Sequence, residues 1–357
     1  MTRLVRMLVL ATVGLVAAAA VGFNVQPIRE RLADPVTGLL VWAFVDAHAT
    51  HGTWREGARA PTPKMEAATA VVDGKLWVIG GFAGTTYGAP VEPMVSVYDP
   101  VADRWSRGPT DLPLDVTHCN AVAVDGRLWL VGGYQGAHPG PAVADVWRYD
   151  IAANAWSPGP ALPRPTAAGT LALVGRTLHY VGGFLDRDAT VGDHWTLAVD
   201  GGSGWEPRAP LPVPRGHLAS AVVDGLLYAI GGQLRHDTDS IDLDAVHVYD
   251  PARDAWRAVA PLPAPRSHFE GSTFVHRGAI VIVGGRDNTR FYPLSRAGLR
   301  TVTRYDPAAD AWTELPALPV HLESTCARVI ENRLIVTNGS SMGSIRGQRR
   351  TLIADFP

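Results

Sequence analysis

A glycine doublet returns about every fifty residues along this chain, and this period constrains the fold more than any other feature. Successive copies start 52, 50, 49, 53 and 54 residues apart. A fixed period of this length predicts a stack or a ring of equivalent units. The copies are Gly80-Gly81, Gly132-Gly133, Gly182-Gly183, Gly231-Gly232 and Gly284-Gly285, with a decayed sixth copy at Asn338-Gly339.

One unit shows how each copy is built. Residues 218–223 form a short apolar run, Asp224-Gly225 supplies a turn, and a second apolar run leads into Gly231. Two apolar runs separated by Asp-Gly are a strong signal for a β-hairpin. A third run ends at Asp250 and a fourth surrounds Trp256. Each unit is therefore predicted to contain four antiparallel strands.

A Tyr-Asp pair ends most third strands, and a tryptophan follows the aspartate by five or six residues. With these motifs the chain resembles the kelch-repeat family, in which Gly-Gly, Tyr-Asp and Trp mark one four-stranded blade of a β-propeller. The resemblance covers residues 52–357 and implies an all-β fold. The tryptophans are Trp105, Trp156, Trp205, Trp256 and Trp312, and Trp54 stands alone near the start.

The two ends of the repeat predict the number of blades. Trp54 has no doublet before it, and no tryptophan follows Asp355. The N-terminal strand around Trp54 is therefore expected to complete the last blade as its outer strand. This predicts a six-bladed propeller, whose closure removes exposed sheet edges.

The first residues differ from the repeat. Arg3 and Arg6 precede seventeen residues without a charge, which end in small residues. This pattern is typical of a secretory signal peptide or an uncleaved membrane anchor over residues 1–23, and both alternatives remain open. Residues 24–51 are expected to be a linker or juxtamembrane segment. The propeller is accordingly expected outside the cytoplasm, as a periplasmic, cell-surface or secreted domain.

Charge and cysteine content exclude some classes of function. The 32 basic and 34 acidic residues give a formal net charge of −2, so nucleic acid is not an expected partner. Cys119 and Cys326 fall in units that are not neighbours. A disulfide needs α-carbons within about 7 Å, so both are expected to be unpaired buried thiols.

Polar residues that depart from the repeat gather in units 4 and 5, before the first strand and after the doublet. Both places are expected at one mouth of the central channel, where arginines suit a carboxylate or polyhydroxyl ligand. Mutual salt bridges that only brace the loops are the alternative. The predicted ligand-binding residues are Arg215, His217, His236, Asp237, Arg266, His268, Glu270, Arg286 and Asp287.

The sequence contains no phosphate loop or HExxH motif. The histidines show no regular metal-ligand spacing, so neither a metal nor another cofactor is expected. The leading hypothesis is an extracytoplasmic, non-catalytic module that binds a glycan, a small polar ligand or a protein. The alternative is a sugar-modifying enzyme that resembles the secreted bacterial sialic acid mutarotases of the kelch family.

Overall fold

The computed structural model is described over most of the repeat region and is almost entirely β-structure. The predicted signal or anchor and the linker lie outside the described residues. Within the described part, no helix is both long enough and apolar enough to cross a membrane. The described residues are 54–83, 90–137, 140–186, 189–236, 239–288, 298–341 and 347–356.

Short strands follow one another along the chain, joined by tight turns and by the loops after the doublets. A 3-10 turn, Glu270–Ser272, is the helical element of these ranges. The strands are β1 (Arg55–Glu56), β2 (Ala68–Val72), β3 (Lys75–Ile79), β4 (Ser96–Asp99), β5 (Arg104–Arg107), β6 (Val116–Thr117), β7 (Asn120–Val124), β8 (Arg127–Val131), β9 (Tyr134–Gln135), β10 (Val146–Asp150), β11 (Ala155–Pro158), β12 (Thr170–Val174), β13 (Thr177–Val181), β14 (His194–Ala198), β15 (Glu206–Pro207), β16 (Ala219–Val223), β17 (Leu226–Ile230), β18 (Gln233–Leu234), β19 (Ile241–Asp242), β20 (Val246–Asp250), β21 (Ala255–Ala258), β22 (Thr273–His276), β23 (Ala279–Val283), β24 (Val302–Asp306), β25 (Ala311–Leu315), β26 (Leu322–Glu323), β27 (Cys326–Ile330), β28 (Arg333–Thr337), β29 (Ser340–Ser341) and β30 (Thr351–Asp355).

Six four-stranded antiparallel sheets form the six predicted blades. Blade 1 contains β2–β5, blade 2 contains β7, β8, β10 and β11, and blade 3 contains β12–β15. Blade 4 contains β16, β17, β20 and β21, and blade 5 contains β22–β25. Blade 6 contains β27, β28, β30 and the N-terminal β1. The prediction of a six-bladed propeller is confirmed.

The N-terminal strand closes the ring as predicted. Arg55 pairs with Ile353 and Glu56 pairs with Leu352 in antiparallel register. The indole Nε1 of Trp54 donates a hydrogen bond to the Ala317 carbonyl at 3.1 Å, across to blade 5. Blade 6 is therefore built from both ends of the repeat region.

An apolar core lies at each junction between neighbouring blades. Leu76 and Tyr98 of blade 1 meet Ile335 of blade 6, and five equivalent clusters join the other pairs. Cys119 belongs to the cluster of blades 1 and 2, and Cys326 belongs to that of blades 6 and 1. Both thiols are buried and free, as expected, and burial raises the pKa of each to about 12.

Candidate functional site

Six residues in the left-handed backbone conformation form a ring at the inner ends of the blades, just before each first strand. Their φ angles lie between 48° and 60°. Four of these residues donate their amide to the carbonyl of the counterpart in the preceding blade, as from His217 to Ala168 at 2.8 Å. This axial ring consists of Glu66, His118, Ala168, His217, His268 and Ser324.

In the other five blades, the axial-ring residue stands fourteen positions before the start of the doublet. In blade 5 that position is Glu270, but the residue in the ring is His268. The 3-10 turn Glu270–Ser272 adds two residues to the lead-in of this blade and shifts the register. Glu270 still reaches the axis, since its Oε1 lies 2.8 Å from Nδ1 of His217. The insertion thus brings a second side chain from blade 5 to the ring.

A second ring is formed by the residue that follows each doublet. Each member pairs with the residue just before the axial ring, for example Arg286 with Ser267. All six side chains are buried. Blades 1 to 3 contribute aromatic rings, whereas blades 4 to 6 contribute polar groups. This post-doublet ring consists of Phe82, Tyr134, Phe184, Gln233, Arg286 and Ser340.

Four buried histidines converge where the two rings meet. His217 stacks on His268 with centroids 3.9 Å apart and on His236 with centroids 5.2 Å apart. His118 meets His217 edge-on at 5.0 Å and His236 at 5.3 Å. Phe184 packs against His217 and His236 from the aromatic side of the post-doublet ring. We name these four histidines the histidine cluster.

Two carboxylates from blades 1 and 5 lie beside the histidine cluster. The Glu66 oxygens lie 3.8 Å from Nδ1 of His217 and 3.7 Å from Nε2 of His268. The Ser324 hydroxyl donates a hydrogen bond to the same carboxylate. Burial raises the pKa of Glu66 to about 7, the neighbouring charge of Glu270 adds to this rise, and His217 opposes it.

The two stacked histidines of the axial ring differ in their protonation preference. Burial disfavours the charged form of His217, but the Glu270 and Glu66 carboxylates outweigh it and raise its pKa. Burial and the Arg286 charge hold the pKa of His268 well below its ordinary value. The arrangement therefore places an imidazole that favours a proton next to one that does not.

Arg286 lies beside this cluster, where its charge acts on both His217 and His268. Nη2 of Arg286 donates to Oε1 of Gln233 and lies 3.5 Å from the Ser240 hydroxyl. The buried Asp242 carboxylate is 3.9 Å from the guanidinium. Asp287 is 3% exposed. Predicted Asp237 lies outside the described residues.

Two predicted ligand residues do not join the cluster. Arg215 points into blade 4, where its guanidinium donates to the carbonyls of Gly231 at 2.6 Å and Ala229 at 3.0 Å. Arg266 points into blade 5 and donates to the hydroxyls of Thr301 and Thr303. Burial lowers the pKa of both arginines to about 10. Both brace their own blades, because residues two before the axial ring face the sheet.

Sequence reasoning left Glu66 and His118 outside the site, although both stand at the ring position of their units. The prediction grouped only the adjacent blades 4 and 5. In the closed ring, blades 1 and 2 reach the same axis as blades 4 and 5. Beneath the ring, a cavity of about 20 Å³ borders Glu66, His118 and Glu270. This volume holds about one water.

Sequence comparisons agree with the repeat architecture. The family described as the KLHDC2/KLHL20/DRC7 Kelch-repeats domain matches residues 118–339, and the Kelch motif matches residues 63–111. Kelch repeat-containing protein At3g27220 of Arabidopsis thaliana is 26% identical over 83% of this chain and 73% of its own length. Kelch-like protein 23 of Pongo abelii is 25% identical over 85% of this chain. The chain spans only 48% of that relative.

A further relative and a solved structure show similar coverage. Kelch-like protein terF of Aspergillus terreus is 29% identical over 83% of this chain and 52% of its own length. The solved structure of YjhT superposes with a TM-score of 0.63 at 16% identity. That superposition covers 75% of this chain and 89% of YjhT. At this identity, the likeness concerns the fold.

Proposed function

Because this chain belongs to the kelch-repeat family, whose blades here converge on a polar channel mouth, we propose that it is a non-catalytic module that binds a small polar ligand. The observation that carries the proposal is the asymmetry of the post-doublet ring. Aromatic rings fill it in blades 1 to 3, while Gln233, Arg286 and Ser340 occupy blades 4 to 6. Buried polar groups are unfavourable unless paired or used, and hydrogen bonds within the protein pair Gln233 and Ser340, so the group left for a ligand is the Arg286 guanidinium.

Arg286 gives the proposed ligand its chemical class. Its Nε forms no hydrogen bond within the described part of the chain. Asp242, at 3.9 Å, is too distant for a direct charge-assisted hydrogen bond. A guanidinium held in this way suits a carboxylate, which it binds through two parallel hydrogen bonds. A sugar acid, with one carboxylate and several hydroxyls, offers Arg286 this pairing.

Carboxylated and neutral sugars test this proposal directly. We expect uronic acids or N-acetylneuraminic acid to raise the melting temperature, with neutral hexoses having a smaller effect. Arg286→Ala should weaken binding by about 1.5–3 kcal/mol, the value of a charged hydrogen bond, as measured by calorimetry. Arg253→Ala is the matched control, because this exposed arginine of blade 4 lies in the turn after β20, on the opposite face. Equal affinity in both variants would contradict the proposed site.

The same proposal places the propeller outside the cytoplasm. The support is the Arg3 and Arg6 start, followed by the uncharged run through residue 23. An alkaline phosphatase fused after residue 357 should be active in a bacterial host, because this enzyme needs an oxidising compartment. A fusion that is inactive, paired with an active cytosolic reporter, would overturn the location.

A second candidate function is acid–base chemistry on a sugar. The observation in its favour is the position of His217 between Glu270 at 2.8 Å and Glu66 at 3.8 Å. A histidine hydrogen-bonded to a carboxylate is a suitable proton carrier. Exchange between the anomers of N-acetylneuraminic acid, followed by NMR, should then be accelerated by the wild type and not by Glu270→Gln. No acceleration by the wild type would remove this candidate.

A further inference from the structure

We propose that His118, His217 and His236 bind one divalent transition-metal ion, with Zn²⁺ the best match to an all-imidazole ligand set. One nitrogen from each ring lies within 4.8 Å of the others, and all three side chains are buried. Zn²⁺ accepts three histidine ligands and keeps a fourth position for water or substrate. This metal site is independent of the proposed ligand function, and metal binding is measured without any organic ligand.

The centroids of the three rings are evenly spaced around a common centre. Their centroids form a nearly equilateral triangle, with sides of 5.0, 5.3 and 5.2 Å. Nitrogen atoms bound to one tetrahedral Zn²⁺ lie about 3.3 Å apart, given Zn–N bonds of about 2.0–2.1 Å. Rotation of the rings brings the nitrogens from within 4.8 Å to binding distance, and it includes a turn of His217 or His236, because these two rings are stacked at 10° and their in-plane lone pairs do not yet meet.

Hydrogen bonds at Nδ1 orient two of these rings. Nδ1 of His217 lies 2.8 Å from Oε1 of Glu270, and Nδ1 of His118 lies 3.0 Å from the Thr117 hydroxyl. Donation from Nδ1 places the lone pair on Nε2, as in carboxylate–histidine–zinc arrangements. Nε2 of His217 is buried and forms no hydrogen bond with any described residue. A buried nitrogen of this kind needs a partner, and a metal ion supplies one.

The surrounding charges suit a divalent cation. The carboxylates of Glu66 and Glu270 both lie within 4 Å of the His217 ring nitrogen, on the side away from the metal. The negative charge of these carboxylates partly offsets that of a buried cation, which is otherwise strongly unfavourable, while the Arg286 guanidinium beside the cluster opposes it. The ligands come from blade 2 and from two places in blade 4, which explains why no sequence spacing revealed them.

Metal titration of the full chain without a histidine tag tests the site. After dialysis against a chelator, we expect one Zn²⁺ per chain and, with Co²⁺, the visible absorption of a four-coordinate site. His118→Asn and His217→Asn should weaken Zn²⁺ binding at least 100-fold. Glu270→Gln should weaken it about 10- to 100-fold, as expected for a residue that only orients a ligand. His268→Asn is the matched control and should bind normally, because His268 lies in the same stack outside the triad.

The result that would overturn the site is equally specific. Zn²⁺ uptake below one ion per chain in the wild type contradicts it, as does unchanged uptake in His118→Asn. Loss in His268→Asn with retention in His118→Asn also contradicts it, since that pattern favours Glu66, His217 and His268. Circular dichroism verifies that each variant is folded. If a histidine variant unfolds, the weaker Zn²⁺ binding expected of Glu270→Gln still tests the site. A Zn²⁺ ion on His217 also excludes the acid–base candidate.

Discussion

The first glycine of each doublet allows two blades to approach closely. Gly182 has a φ of 68°, and a Cβ there would lie 2.5 Å from the Arg215 carbonyl oxygen of the next blade. The amide of Gly183 donates to the same oxygen at 2.9 Å. In the decayed copy, Asn338 adopts a φ of 58° and its Oδ1 accepts the Lys64 amide at 3.1 Å. Asparagine tolerates this conformation better than most residues do.

We therefore predict that Gly182→Ala lowers the free energy of unfolding by at least about 2 kcal/mol, because left-handed strain adds to the contact with a backbone oxygen. Gly204→Ala is the control, since Gly204 has a negative φ and open space where the added methyl group would lie. Urea unfolding followed by tryptophan fluorescence measures both. Similar losses at the two positions would refute the close-approach explanation.

Lys64 predicts a dependence of stability on pH. Burial lowers its pKa to about 8, although Nζ donates to the carbonyls of Met94 and Val78. Between pH 8 and about 10 the unfolded chain keeps this proton and the folded chain releases it, so stability rises with pH. The stability of the wild type relative to Lys64→Met should rise by about 2 kcal/mol from about pH 7 to 9.5. The titration of the two buried cysteines contributes equally in both proteins and cancels in this comparison. A stability difference that does not change with pH would contradict the prediction.

Residue identity alone did not reveal where the arginines point. Arg215 and Arg266 stand two residues before the axial ring, where Lys64 also stands, and all three side chains enter the blade. Sequence showed their proximity to the channel, but a left-handed residue stands between them and the strand, so the side-chain alternation of the strand does not predict which way they point. The shift of the blade 5 ring position from Glu270 to His268 has a related cause, since an inserted 3-10 turn leaves no mark in hydrophobic periodicity.

At the scale of the elements, the repeated tryptophans join each blade to the preceding one. Nε1 of Trp256 donates to the Ala209 carbonyl at 2.8 Å, and Trp312 donates to the Ala260 carbonyl at 3.0 Å. The Tyr249 hydroxyl donates to Asp254, which also accepts the Ala209 amide. The Tyr-Asp and Trp motifs thus satisfy backbone groups at blade junctions. The motif suits this role, because it carries both an apolar ring and a polar atom.

Trp156 departs from this pattern and provides an internal control. Its Nε1 is buried without a hydrogen bond to any described residue. Trp256→Phe and Trp156→Phe remove similar apolar area from half-buried positions, but only the first removes a hydrogen bond. We expect Trp256→Phe to be more destabilising by about 1 kcal/mol in urea unfolding, the net value of one hydrogen bond. Equal losses would show that the indole N–H contributes nothing to blade docking.

At the scale of the whole molecule, the fold was more predictable than the site. The number, order and closure of the blades follow from a motif repeated in every unit. A degenerate copy of the motif can therefore still be assigned from its spacing to the other copies. The site depends on residues that differ between units, and each of them occurs once. His118 and Glu66 became part of it only because a ring brings blades 1 and 2 opposite blades 4 and 5.

Closure by β1 makes stability depend on both ends of the repeat region. Removing residues 52–58 eliminates the pairing of Arg55 with Ile353 and the hydrogen bond from Gly57 to Thr351, and it exposes the edge of β30. Roughly three or four lost hydrogen bonds of about 1 kcal/mol each predict a loss of at least about 3 kcal/mol. A chain beginning at residue 52 is the control and should melt like the full chain, because it keeps every contact of β1. If the chain beginning at residue 59 melts at the same temperature as this control, the N-terminal strand does not close the ring.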